Sequence, residues 1–251
     1  MIETLHFMGG TFNLGVQCLR EMFKPPFYFR LTLDQMFLIG VRSFILVAVT
    51  ALATGSVMAL QFGYGLQKFG GQLYVPKVLA LSFVREMGPV FTSLLVAARI
   101  GSGITAEVGS MNVTQQIDAI RALGTSPVKK IVIPRLLATL ITLPILTVFA
   151  NFIGLFGGML VSVREMGITP DFFFIKAREA LTLHDFNTGL VKTTVFAVFI
   201  ALTSCWRGMH TTGGTKGVGD STTWVVVTTN IFIMVADFFL TKFFIILRPL
   251  R

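Results

Sequence analysis

Long apolar runs alternate with short polar stretches along the chain. Five of them, about Leu38–Leu60, Val78–Ala98, Leu136–Val163, Leu190–Trp206 and Thr222–Leu247, come close to or exceed the roughly 20 residues that a helix needs to cross a bilayer. Leu136–Val163 holds no charged residue, whereas Leu190–Trp206 is short and carries Lys192 near its start. None shows the period-two alternation of barrel strands. The pattern therefore predicts an all-α, polytopic helical membrane protein.

The first 30 residues follow a different rhythm. Leu5, Met8, Phe12, Val16, Leu19 and Phe23 recur at three- and four-residue steps, and His6, Asn13, Gln17, Arg20 and Lys24 fall on the opposite face. Pro25-Pro26 ends the helix. Residues 1–30 are thus expected to form an amphipathic helix in the membrane interface, ahead of a transmembrane domain over residues 31–251. The plainer alternative is a helix packed on the protein's own surface.

Composition supports this reading. Hydrophobic residues make up 53% of the chain and charged ones 13%, about half the charged share of a soluble domain, and the mean hydropathy is +0.77. The net charge of +9 is spread along the chain rather than stacked in one patch, which argues for anionic lipid headgroups and against nucleic acid. Cys18 and Cys205 lie far apart in sequence, and His6, His184 and His210 are scattered, so local sequence builds no metal site. With the N-terminus cytoplasmic, the basic residues Arg99, Arg121, Lys129, Lys130 and Arg135 all fall in one inner loop.

The residues that do not belong in a membrane carry the most information. Arg85 and Glu86 interrupt the second run, Asp237 interrupts the fifth, and Lys242 follows it. Such a group costs at least about 2.5–3.5 kcal/mol at the bilayer centre, so it faces a partner or a water-filled cavity. Pro89 is expected to break the helix beside Glu86. Glu86 and Asp237 then either line a polar cavity for a substrate headgroup or form interhelical bridges, for example Glu86 with Lys192 or Asp237 with Arg85. Two small-residue seams, Ala51/Gly55/Ala59 and the GxxxG within Gly154–Gly158, predict close helix contacts.

Residues 99–135 form the most polar loop. Asn112 is placed to cap a helix, with Gln115 at the capping-box position. Val113, Ile117 and Ile120 give that helix an apolar stripe, Gln116, Asp118 and Arg121 point outward, and Gly124 with Pro127 ends it. A short amphipathic helix of this kind suits docking to a cytosolic partner or lying along the membrane.

Several motifs in order resemble the permease family of MlaE/YrbE type. They are Arg85-Glu86-Met87-Gly88-Pro89, Ala98-Arg99-Ile100-Gly101-Ser102, Ala106-Glu107-Val108-Gly109, Gln116-Ile117-Asp118-Ala119, Val132-Ile133-Pro134-Arg135 and Leu143-Pro144. Gly217-Val218-Gly219, Thr222-Thr223 and Asp237-Phe238-Phe239-Leu240-Thr241 extend the similarity toward the C-terminus. The resemblance implies a homodimeric permease of an ABC transporter in the bacterial inner membrane that moves phospholipid or a related lipid. Its implied partners are a separate cytosolic ATPase, which binds the ATP, and an MCE-domain periplasmic protein. The chain itself would be no enzyme and hold no cofactor or metal. Arg85, Glu86, Lys192 and Asp237 would lie on the lipid pathway. Asn112, Val113, Gln115, Gln116, Ile117, Asp118, Ile120 and Arg121 would form the coupling helix that docks on the ATPase. Family members often carry Arg and Glu where this chain has Asn112 and Gln115, and a basic residue where it has Asp220.

Three other classes fit less well. Gly217-Val218-Gly219-Asp220 matches the GxGD pattern of intramembrane aspartyl proteases, but Asp237 lies 17 residues along the same helix, about 25 Å away at 1.5 Å per residue. An ion-coupled carrier would show an internal repeat of spans, and five spans around one long loop do not divide that way. A purely structural membrane protein leaves Glu86 and Asp237 unexplained. No Gly-x4-Gly-Lys-Ser/Thr phosphate loop is present, so any ATP must be bound by another subunit.

Overall fold

The computed structural model describes residues 2–247, with side chains from Phe7 onward. Leu5, His6, Arg248 and Arg251 therefore lie outside the described side chains. All the regular structure among the described residues is helical. Helix α1 spans Ile2–Met22. Five helices are long and apolar enough to cross a membrane: α2 (Phe29–Gln67), α3 (Gln72–Val113), α5 (Val128–Met166), α7 (Leu183–Met209) and α8 (Gly214–Leu247). Two short helices complete the set, α4 (Gln116–Ala122) and α6 (Pro170–Ala180).

Each expected span sits inside one of these five helices. The polar loop is shorter than expected, because α3 continues to Val113 and α5 begins at Val128. Within the spans, polar residues are satisfied by the helices themselves. Thr139, Thr142, Thr147, Ser162 and Ser204 each donate to the carbonyl four residues back, so their hydroxyls need no water. The shortest apolar run became α7, whose most apolar window is 67% buried by protein, against 6% for α8. A span covered by other helices can carry polar groups that lipid would not tolerate.

Pro89 does not break α3. The chain widens into a π-helical turn at Phe83–Met87, and the helix resumes at Gly88. Such a turn absorbs the missing N–H and the ring clash of a proline without ending the helix. Further π-helical turns occur at Phe37–Val41, Ala97–Gly101 and Val128–Val132.

Contacts divide the chain into two compact units, Met1–Arg42, Val96–Thr142 and Val195–Val235 in the first, and Ser43–Leu95, Leu143–Thr194 and Ala236–Arg251 in the second. In the first, α1 and the turn that follows it present three faces. Phe7, Thr11, Leu14 and Cys18 are buried, Met8, Phe12, Leu19 and Phe23 are exposed, and Asn13, Gln17, Arg20 and Lys24 form a polar edge. The expected apolar face is therefore the free one, as an interfacial helix requires. A second apolar stripe, hidden in the sequence between the first two, seats the helix on the protein. Phe7 packs edge-on against Trp206 and Trp224, with ring centroids 5.2 and 4.6 Å apart, and Arg207 lies over the Trp224 ring. A side chain at Gly10 would collide with the Trp206 indole.

In the second unit the two predicted seams meet each other. A Cβ on Gly55 would fall 1.9 Å from the carbonyl oxygen of Gly154, and one on Gly157 or Gly158 would strike Leu52 or Leu79. Glycine is required there because the α2 and α5 backbones touch. Helix α6 packs on the start of α3, closing a small core of Ala59, Leu79, Ala80, Met159, Ile168, Phe173 and Ala177. Its start has the expected chemistry: Thr169 accepts from Phe172 N, Pro170 takes the first turn and Asp171 follows. The hydropathy pattern alone assigns no element there.

Candidate functional site

The intramembrane charges of the second unit gather around one cation. The π-helical turn of α3 carries Arg85 and Glu86, α7 carries Asp185 and Lys192, and α8 carries Asp237 and Thr241. The Lys192 ammonium is fully buried and lies 2.5 Å from Glu86 Oε2, 3.0 Å from Asp237 Oδ1, 2.7 Å from Thr241 Oγ1 and 3.3 Å from the Arg85 carbonyl. An ammonium has three N–H donors, so four acceptors oversubscribe it. The Arg85 carbonyl is in this set because of Pro89: four residues on, the proline has no N–H to offer it. Thr241 Oγ1 also lies 3.2 Å from Glu86 Oε2, linking α8 to α3 directly.

Arg85 does not pair with Asp237. Its Nε meets Asp185 Oδ1 at 3.0 Å, and Asp185 is wholly buried. Asp185 does a second task, because its Oδ2 accepts from the Thr182 N–H at 3.0 Å and the Thr182 hydroxyl at 2.8 Å, a capping box at the start of α7. The Thr182-Leu183-His184-Asp185 pattern could have revealed Asp185 in advance. The pairing partner could not be read from sequence, because nothing local relates residues a hundred positions apart.

The cluster joins two cations, Arg85 and Lys192, to three carboxylates, Glu86, Asp185 and Asp237. Its charge is not closed internally. Glu86 is 32% exposed and Asp237 19% exposed, although both sit in membrane-spanning helices. Exposed carboxylate at that position must meet water, a polar headgroup or another protein surface, since acyl chains offer it nothing. Lys242, by contrast, is exposed near the end of α8.

The polar loop belongs to the first unit. Asn112 is not a helix cap; it lies within the last turn of α3, where its Nδ2 donates to the Thr211 carbonyl at 3.0 Å. Gln115 occupies the N-cap of α4, but in the left-handed region at φ +59° and with no side-chain capping bond. The capping box is absent because α3 runs on past its expected end and claims Asn112. Val113 and Gln115 are exposed, Ile120 is half-buried and Ile117 is buried, while Gln116, Asp118 and Arg121 point outward as expected. Asp118 and Arg121 pair on the surface at 2.9 Å. The C-terminus matches expectation: Gly124 has φ +73°, and the Thr125 N–H to Ile120 O and Gly124 N–H to Arg121 O bonds close a Schellman motif.

Around α4 the framework is one-to-one. Arg135 meets Glu107 at 2.7 Å, joining α5 to α3, and also donates to its own helix at Ile131 O. Ser126 donates to Glu21 at 2.6 Å and Lys129 to Pro25 O at 2.7 Å, tying the loop to the end of α1. Cys18 and Cys205, remote in sequence, are both buried as free thiols, and burial pushes the Cys18 thiol up to about 12.

Comparison with known proteins agrees with this architecture. A family model described as Permease MlaE matches residues 32–243. The chain is 40% identical over 212 residues to a probable ABC transporter permease protein of Synechocystis sp., covering 84% of this chain and 81% of that one. It is 38% identical over 222 residues to a probable ABC transporter permease protein of Rickettsia typhi, covering 88% and 86%. It is 32% identical over 215 residues, 85% and 82%, to the intermembrane phospholipid transport system permease protein MlaE of Haemophilus influenzae.

Proposed function

The chain belongs to the MlaE permease family, and on that premise we propose that it is the ABC-transporter permease moving phospholipid or a related lipid between the inner membrane and an MCE-domain partner. The observation that carries the reading is the Lys192 cluster: partly exposed carboxylates held by a buried cation within spans. Lys192 sets the positions of Glu86, Asp237 and Thr241, so that three helices present one polar patch. Arg85, anchored through Nε to Asp185, keeps its terminal guanidinium nitrogens available for a phosphate. The headgroup exchanges water for these groups while its acyl chains remain against the phenylalanine-rich helix faces.

The driving force comes from a separate cytosolic ATPase, which binds the ATP. It docks on α4 through Gln116, Asp118 and Arg121, with Asn112, Val113, Gln115 and Ile120 shaping the approach and Ile117 holding the helix to the protein. The N-terminus is cytoplasmic on this reading, and two copies form the transporter. The apolar surface of α8, with Ile231, Met234, Phe238 and Phe239 exposed, supports a covering by lipid and by the second copy.

Purification from native membranes in mild detergent tests this. A nucleotide-binding subunit and an MCE-domain protein are expected to co-purify with bound phospholipid, while the isolated chain hydrolyses no ATP. Glu86→Gln and Asp237→Asn are each expected to leave the complex assembled and to lower lipid transfer at least tenfold. Recovery of the chain alone would overturn the transporter reading, and loss of assembly in both variants would make the cluster a structural bridge.

A further inference from the structure

The first unit holds a cavity of about 720 Å³, and of its lining the transport reading uses only Arg121, at the rim shared with α4. One wall is the polar edge of α1, with Asn13, Gln17 and Arg20, continued by Lys24 in the turn after it; the others come from Arg121 of α4, Ser126 of the loop, and Trp206 and His210 at the end of α7. We infer that this cavity binds the phosphate headgroup of an anionic phospholipid.

Charge is the first support. Three cations, Arg20, Lys24 and Arg121, face the cavity with one carboxylate, Glu21, and Glu21 already accepts from Ser126. Arg121 spends one contact on Asp118, whereas neither Arg20 nor Lys24 has a carboxylate partner among the described residues. Unpaired guanidinium and ammonium groups beside Asn13, Gln17 and His210 offer donors suited to a phosphate monoanion or diester.

Position is the second. The helix that supplies Arg20, together with the turn that carries Lys24, also exposes Met8, Phe12, Leu19 and Phe23, a stripe suited to the acyl boundary of a bilayer. A ligand that enters the cavity with its headgroup and lays its chains along that stripe satisfies both surfaces at once. A free phosphate would use only the first. The walls are also fixed rather than incidental: Gly10 lets α1 close on Trp206, Phe7 locks against Trp206 and Trp224, and the Trp206 carbonyl lies 2.8 Å from His210 Nδ1. The inference stands on this cavity and stripe and does not depend on which lipid is transported.

The test uses the intact complex in nanodiscs of equal parts phosphatidylglycerol and phosphatidylcholine, with the lipids that survive detergent washing counted by mass spectrometry. Phosphatidylglycerol should be enriched, and Arg20→Gln and Lys24→Gln should each reduce the enrichment roughly fivefold, the effect of one basic residue at an anionic surface. Arg20→Lys should retain most of it, and Arg178→Gln, on α6, all of it. Excess inorganic phosphate or glycerol phosphate should fail to displace the lipid. Equal enrichment in the double variant Arg20→Gln/Lys24→Gln, verified as folded, would overturn the proposal. So would displacement by the soluble phosphates at lipid-like potency, which would make a free phosphate ester the ligand, or loss of the lipid whenever the ATPase subunit is bound, which would make the cavity a protein-docking surface.

Discussion

Two buried cations, one in each unit, solve the same problem differently. Arg135 in the first unit has one carboxylate, Glu107, and that carboxylate is 52% exposed. Lys192 in the second has two carboxylates, a hydroxyl and a backbone carbonyl, with the acids mostly sheltered. Water can take over one half of the first pair if it is broken. In the second, two acids held close together lose the cation they share, and only their exposed edges reach water or a ligand. Polar groups in a membrane protein are therefore not equivalent by count; what separates a brace from a site is whether the partner left behind can be rehydrated.

The sharpest way to break this contrast is to remove each cation. Lys192→Met leaves Glu86 and Asp237 facing each other, and a loss of about 3–5 kcal/mol is expected, read as a collapse of the melting temperature of the detergent-solubilised complex. A melting temperature unchanged in Lys192→Met would mean that the two acids are solvated independently, and the contrast would fail. Arg135→Met is expected to cost less, about 1–3 kcal/mol, because Glu107 returns to water and the main loss is the bonds of a buried guanidinium, including the one to Ile131 O.

Removing the acid side of the first pair leaves the cation behind, and Arg135 stays buried. Glu107→Gln keeps a hydrogen-bond acceptor beside the guanidinium and is expected to cost about 1–2 kcal/mol in the same melting assay, because a buried charge loses its counter-charge but not all of its bonds. No measurable loss would mean that water reaches Arg135 once the carboxylate is gone, and its burial would not matter.

The smallest expected effect concerns pH. Cys18 titrates near 9.0 in an unfolded chain and at about 12 when buried on the inner face of α1. Its folded state retains the proton longer, so its stabilising contribution is complete below pH 9 and declines as pH rises from there toward 12. Maleimide should label Cys18 slowly at pH 8 in the folded complex and quickly after unfolding. Fast labelling of the native protein would show that α1 is not seated as described.

Much of the fold was legible in sequence because the bilayer imposes its own rule. Every span had to be apolar over most of its length, so all five could be counted, and the seams at Gly55 and Gly154–Gly158 marked where backbones meet. Boundaries were less legible. The ends of α3 and α5 extend into the polar loop, and a helix projecting beyond the bilayer no longer needs to be apolar. Asn112 illustrates the cost: its position looked like a cap, yet only the long continuation of α3 and the nearby Thr211 carbonyl decide its role. Helix α6 escaped notice because it is short and half polar, although Thr169-Pro170-Asp171 carried its start signal.

The candidate site divides along the same line. Arg85, Glu86 and Asp237 stood out because charge in a span is costly wherever the helix sits. Which charges meet was open to both Glu86 with Lys192 and Asp237 with Arg85, and the fold chose Lys192 for both acids and Asp185 for Arg85. The sequence by itself thus determined the class of protein, the number of crossings, the amphipathic pattern of the first helix and the identity of the misplaced charges. Those follow from transfer free energies that each residue carries alone. Tertiary structure decided the pairing of the charges, the survival of α3 through Pro89, the inner face of α1 and the cavity beside it, because each depends on groups brought together from helices far apart in the chain.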